Sequence, residues 1–127
     1  MSDRDWLARI VVAIALITIG SGAVQMIRPE FVLGIVGAVP SPAADHFFAI
    51  VGMFMALFGG LALHGVYGAS APALLWSALQ KFGAVGAVAF GVHNGVFGAQ
   101  ALGVGGFDLV SALVVIAYWR RLAQGRV

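Results

Sequence analysis

The sequence predicts an all-α protein, an up-down four-helix transmembrane bundle with both termini cytoplasmic. Two observations lead to this fold class. The 127 residues are 61% hydrophobic and 9% charged, with a mean hydropathy of +1.02, whereas a soluble domain is roughly 45–50% apolar and about 25% charged. The apolar residues also form four runs that are long enough to cross a bilayer, whose hydrocarbon core of ~30 Å requires about 20 helical residues.

The same composition excludes several classes of protein. A soluble chain this short could not bury so much apolar surface, so a soluble enzyme, a disordered protein and a nucleic-acid-binding protein are excluded. The sequence contains no cysteine, which excludes disulfides and thiolate metal sites. We expect a single integral membrane domain over residues 1–127, with the lipid bilayer as its surroundings.

The first span is predicted over residues 6–27. Met1 to Ala23 also has the order of a signal peptide, because charged residues precede an apolar run. The run is long for that role, so we interpret it as a membrane span.

The second span is predicted over residues 42–66, where Ser41 can cap the helix and Pro42 can occupy its first position. Before it lies an apolar stretch, residues 31–39, which at nine residues is too short to cross the membrane. This stretch predicts either an interfacial or re-entrant segment or a short helix packed on the bundle.

The third span is predicted over residues 72–92, opened by Pro72 and stopped by Asn94 and Gly95. The fourth is predicted over residues 97–119. Neither run alternates apolar and polar residues as a half-exposed strand would, so both patterns favour helices.

The arginines predict the orientation. Arg28 alone lies at the end of the bundle opposite the termini, and the other five lie at the end shared by both termini: Arg4, Arg9, Arg120, Arg121 and Arg126. Because cytoplasmic loops carry the excess of basic residues, we expect a multi-pass protein of the cell (inner) membrane with both termini in the cytoplasm. Trp6, Tyr118 and Trp119 stand beside these arginines, as is typical of interface aromatics.

Lys81 and Asp108 are the main candidates for an internal site. Lys81 lies nine residues after Pro72 and Asp108 eleven residues before Trp119, so helices rising 1.5 Å per residue place them roughly 14 and 16 Å from the same side. An isolated charge at that depth costs ~3 kcal/mol or more. We therefore expect a direct or water-bridged contact between the two side chains.

The role of this ion pair stays open between two interpretations. It is either a structural lock that sets the register of the helices or a functional site, such as a proton or ion relay or a polar substrate site. Gln80 and Ser111 are the candidate supporting polar residues.

Rows of small residues at a spacing of four predict helix-packing faces. One row lies on the second span and another on the third: Gly52, Ala56 and Gly60, then Gly83, Ala87 and Gly91. His64 continues the first row, and we expect it to be a hydrogen-bonding interface residue.

His46 and His93 are expected at the opposite membrane surface, where they serve as interfacial anchors. A metal or haem site would require more ligands and a deeper position, so we expect no metal and no cofactor.

The order of features resembles that of small bacterial four-helix membrane proteins of the DoxX-like kind. The resemblance rests on a first helix that ends in a Gly-rich turn and a proline, Gly20 to Pro29, and on the stretch from Gly59 to Leu63 before a short turn. Leu57 and Phe58 stand where such proteins often carry an acidic residue. The resemblance implies an uncharacterised role or that of an accessory subunit of a membrane oxidoreductase.

The sequence thus favours a small polytopic membrane protein that acts as a structural or accessory subunit, as a homo-oligomer or within a larger membrane complex. The alternative is a small oligomeric transporter or channel whose polar site is Lys81 with Asp108. An enzyme is not the expected class, because no nucleophile, metal constellation or cofactor motif is recognisable.

Overall fold

A computed structural model describes residues 5–125 of the chain. Within that range all regular structure is helical, in five helices: α1 (Trp6–Ile27), α2 (Pro29–Ile35), α3 (Pro42–Tyr67), α4 (Ala71–His93) and α5 (Ala101–Ala123). All except α2 are long and apolar enough to cross a membrane. The predicted class, an all-α bundle with four helices long and apolar enough to span a membrane, is therefore confirmed, and the side on which the termini lie stays a prediction.

Serine caps begin two of the long helices. The Ala44 amide donates to Ser41 Oγ at 3.1 Å at the start of α3, as predicted. The Ala73 amide donates to Ser70 Oγ at 3.4 Å at the start of α4, so this helix begins at Ala71, one residue before the predicted start.

The fourth long helix begins four residues later than predicted, at Ala101. The backbone before it makes other hydrogen bonds, since the amides of Val96 and Phe97 both donate to the Gly91 carbonyl at the end of α4. The Gly98 amide donates to the Val36 carbonyl at 2.9 Å. These bonds hold the segment as a connecting loop although its composition is apolar.

The apolar stretch between the first two spans forms the short helix α2, packed on α1 and α3. Its inward side buries Leu33, and Val36 just beyond its end is also buried. Gly37 follows with φ +73°, a left-handed conformation that favours glycine. Of the two predicted alternatives, the structure has the short helix packed on the bundle.

The long helices pack mainly in two pairs, α1 with α3 and α4 with α5. The pairs join in a core at the end of the bundle that carries both termini: Leu7, Ala8, Val11, Leu74, Ala78, Val115 and Tyr118. Large apolar side chains point outward along the spans, as a lipid-facing surface requires. The polar centre described next lies just beyond this core, deeper in the bundle.

Candidate functional site: a buried lysine shared by three helices

Lys81 on α4 lies inside the bundle, with 7% of its surface exposed. Its Nζ donates to Asp108 Oδ1 on α5 at 3.3 Å and to Thr18 Oγ1 on α1 at 2.6 Å. The contact with Asp108 is thus direct, as predicted. Because the three residues come from three helices, the ammonium group ties α1, α4 and α5 together.

The helix geometry explains why these side chains meet. Lys81 shares the inward face of α4 with Leu74 and Ala78, both fully buried, because intervals of seven and three residues return nearly to the same side of a helix. Asp108 shares the inward face of α5 with Ala101 and Val115 at intervals of seven residues. The tight pairing of α4 and α5 therefore brings the two charges together.

Thr18 is the third member of the centre. Its hydroxyl donates to the Ile14 carbonyl one turn earlier, at 2.8 Å, and its oxygen accepts from Lys81. The side chain is buried. Thr18 was not predicted from the sequence. Its depth was the available signal, because it lies twelve residues after Trp6, about 18 Å along the helix, close to the depths expected for Lys81 and Asp108.

The immediate surroundings of the ammonium group are partly aromatic. The Phe107 ring centroid lies 5.4 Å from Nζ, a distance at which the ring face attracts a cation. The side chain of Asp108 keeps 14% of its surface exposed, against 8% for Lys81. Both charges are therefore largely enclosed by the chain itself.

The two predicted supporting residues differ in their positions. Gln80 lies on the wall of a small cavity beside Lys81. Ser111 is buried, but within the described part of the chain no hydrogen bond joins it to Lys81 or Asp108. Thr18, and not Ser111, supplies the second contact of the ammonium group.

The cavity lies between α1, α3, α4 and α5, and its volume for a water-sized sphere is about 10 Å³. This is room for about one water molecule. Its wall is mostly apolar surface, and the residues that form it include Thr18, Ser77, Gln80 and Lys81 beside apolar ones such as Phe58. Ser77 Oγ donates to the Ala73 carbonyl at 2.8 Å and lies 3.5 Å from the Phe58 carbonyl oxygen.

Only part of the first predicted packing row lies against another helix of this chain. Gly52 and Ala56 face α1, where they lie against Gly22, but Gly60 and His64 are exposed. A spacing of four residues advances by about 40° per step on a helix of 3.6 residues per turn, so the row turns away from α1. Gly59 takes the place expected of Gly60 and lies against Ala15 and Ile19.

The second predicted row also differs. Gly83 and Ala87 are exposed, and no neighbouring atom lies within 4 Å of a Cβ built on Gly83. Two residues beyond Lys81, a helical side chain points about 200° away from it, so Gly83 faces outward. Gly91 is buried, but it packs against the Phe97 ring of the following loop.

The remaining histidines lie apart from the centre. His46 and His93 are both exposed, and His46 makes an edge contact with the Phe47 ring, with centroids 5.7 Å apart. Over residues 5–125, no group of three or more His, Cys, Asp or Glu side chains is arranged to hold a metal ion.

A second ion pair lies at the surface, after α1. Arg28 Nε donates to Glu30 Oε1 at 2.6 Å, and both side chains are exposed. This hydrogen bond holds the pKa of Glu30 below its ordinary value. At the other end of the bundle, the Arg121 guanidinium lies 5.8 Å from the Trp6 ring centroid, a cation–π contact beside the termini.

No known protein family, no curated protein and no solved structure matches the chain. The buried polar centre is therefore the feature of this chain that bears on its function.

Proposed function

We propose that this small multi-pass membrane protein is a structural or accessory subunit of a membrane assembly, in which Lys81 with Thr18 and Asp108 is an internal lock. One observation carries the proposal. The ammonium group of Lys81 is held by two residues of its own chain, and the cavity beside it has room for about one water molecule.

An internal lock is consistent with the energetics of charge inside a membrane. A lone lysine at mid-membrane is costly, whereas a paired one satisfies both its charge and its hydrogen bonds. The three partners belong to α1, α4 and α5, so the polar contacts join the two helix pairs. The cavity is too small for an organic substrate, since ligand pockets are typically ~300–1,000 Å³.

The proposal includes association with other subunits in a larger membrane complex. It also retains the resemblance of the helix order to DoxX-like proteins, which implies an accessory role. Both parts are tested by native mass spectrometry of the protein after gentle extraction from its own membrane. We expect it to be recovered together with other subunits, and their identity would name the assembly.

A second candidate function is that of a small oligomeric transporter or channel that uses the Lys81–Asp108 site. The observation that favours it is the partial exposure of Asp108, 14% of its side-chain surface, which a neighbouring copy could cover. Native mass spectrometry would then yield a discrete homo-oligomer without foreign subunits. Recovery of a solitary monomer would contradict both functions.

Exchange of the charges separates the two functions further. The double variant Lys81→Asp with Asp108→Lys keeps one charge of each sign at the same depth. A lock should retain folding and the association with partner subunits, because the attraction between the helices persists. A transport site should retain folding and lose flux, because the ammonium and carboxylate groups have changed places.

A further inference from the structure

The ammonium group of Lys81 has one N–H donor more than it has hydrogen-bond acceptors in the structure. An ammonium group has three N–H donors, and the described residues accept from it twice, at Thr18 Oγ1 and Asp108 Oδ1. Within residues 5–125 the third donor has no hydrogen-bond acceptor, although the Phe107 ring lies 5.4 Å from Nζ. In a low-dielectric interior an unpaired donor on a charged group is costly.

The cavity lies where this third donor can be satisfied. Lys81 forms part of its wall, and its volume of about 10 Å³ for a water-sized sphere matches the minimum for one water, ~10–15 Å³. A buried water also requires two to four polar partners. Besides Lys81, the residues that form the wall include Gln80 and Ser77, which carry a carboxamide and a hydroxyl.

Both of these side chains can accept a hydrogen bond. Ser77 uses its hydrogen toward the Ala73 carbonyl, so lone pairs on its oxygen remain available. The carboxamide oxygen of Gln80 is likewise an acceptor. One water molecule has two hydrogens to donate and a lone pair with which to accept from Lys81, so its bonding capacity matches the three groups.

The charge of the centre selects a neutral ligand. Lys81 and Asp108 carry opposite charges 3.3 Å apart and together are neutral. An added ion would bring an uncompensated charge into the membrane interior, at a cost of several kcal/mol. A water molecule adds hydrogen bonds without adding charge.

We propose that the cavity between α1, α3, α4 and α5 is a binding site for a single water molecule, which accepts from Lys81 and donates to Gln80 and Ser77. This water completes the coordination of the ammonium group, with Thr18 and Asp108 as its other two partners. This water site is compatible with either proposed function, because it depends only on the hydrogen-bonding capacity of the residues around the cavity.

The test uses water-to-methyl cross-relaxation in NMR spectra of the full chain in deuterated lipid nanodiscs. Ala15 and Ala62 are buried and lie on or beside the cavity wall, whereas Ala78 and Ala112 are buried away from it. We expect cross-peaks at the water frequency for the methyl groups of the first two alanines and none for those of the second two. Their absence at Ala15 and Ala62 would overturn the proposal.

A variant tests the assignment of the partners. Gln80→Leu removes one of the two acceptors proposed for the water, so the cross-peaks at Ala15 and Ala62 should be lost or strongly reduced. Gln124→Leu, at the exposed end of α5, is the matched control and should leave them unchanged. Undiminished cross-peaks in Gln80→Leu would contradict the proposed hydrogen bonds, and the experiment on the unmodified chain does not depend on how the variants fold.

Discussion

Gly22 of α1 and Gly52 of α3 each occupy the space that a side chain on the other would need. A Cβ built on Gly22 lies 2.5 Å from the Gly52 carbonyl oxygen, and one built on Gly52 lies 2.7 Å from the Gly22 carbonyl oxygen. Contacts this short with backbone atoms cannot be relieved by rotating a side chain. The close approach of α1 and α3 therefore depends on both residues being glycine.

The substitution Gly22→Ala should lower the free energy of unfolding by about 1–3 kcal/mol, the usual cost of overpacking a core. Gly20→Ala is the matched control, because no neighbouring atom lies within 4 Å of a Cβ there and alanine is the better helix former by about 1 kcal/mol. Thermal unfolding followed by tryptophan fluorescence in mild detergent should move the two midpoints in opposite directions. Equal midpoints for the two variants would argue against the close helix contact.

A sharper comparison uses two adjacent residues. A Cβ on Gly59 meets Ile19 Cγ1 at 2.6 Å and the Ala15 carbonyl oxygen at 2.9 Å, whereas one on Gly60 meets no neighbour within 4 Å. Gly59→Ala should therefore be destabilising by about 1–3 kcal/mol, and Gly60→Ala should be neutral or stabilising. The same unfolding measurement checks this, and destabilisation by Gly60→Ala alone would mean that α3 is rotated relative to the structure.

Removal of one charge from the buried pair should be more costly than removal of both. Asp108→Asn leaves Lys81 without its counter-ion and should cost about 3 kcal/mol. The double variant Lys81→Met with Asp108→Asn leaves no uncompensated charge and should lose less stability. Glu30→Gln, in the exposed pair with Arg28, is the control and should give no measurable change; a loss from Glu30→Gln as large as that from Asp108→Asn would refute the difference in burial.

The contribution of Thr18 can be separated from its volume. Thr18→Val keeps the shape but removes the oxygen that accepts from Lys81, and it should cost about 1.5–3 kcal/mol as a hydrogen bond to a charged group. Thr18→Ser keeps the oxygen and should retain most of the stability. If chemical denaturation ranks serine below valine, packing and not hydrogen bonding governs this position.

Lys81 is the only lysine in the chain, which allows its burial to be measured directly. In the folded protein an amine-acylating reagent should leave it unmodified, because its side chain is 8% exposed and its ammonium group is bound to two partners. After denaturation the intact mass should show one additional acyl group. Modification at Lys81 in the folded state would contradict the enclosed site.

Length and hydropathy were sufficient to predict the first three spans, whose ends in the structure differ from the predicted ones by at most one residue. The bounds of the fourth could not be predicted in this way, since α5 both begins and ends four residues later than expected. Phe97 is apolar enough to extend the span, yet its ring packs against Gly91, and such a loop contact leaves no trace in hydropathy. Apolar composition predicts that a residue is buried or in contact with lipid, but not whether that residue belongs to a helix or to a loop.

The polar centre was predictable only in part, for a similar reason. An unpaired charge inside a membrane is costly, so two opposite charges at equal depth are expected to pair, and Lys81 and Asp108 could be predicted as partners from the sequence. Thr18 could not be predicted in this way, since its hydroxyl already donates to the Ile14 carbonyl within its own helix and needs no other partner. The choice between Gly59 and Gly60 likewise requires the rotation of α3 about its axis, which spacing alone does not determine.

The order of the three residues along the chain has a consequence for biogenesis. Thr18 is synthesised first, Lys81 next and Asp108 last, 27 residues after the lysine. Lys81 has its counter-ion only in the helix that follows it, and Thr18 alone precedes it in the chain. Since a bare lysine disfavours partition into lipid and only a seven-residue connection separates α4 from α5, we expect the two helices to enter the bilayer together as one hairpin.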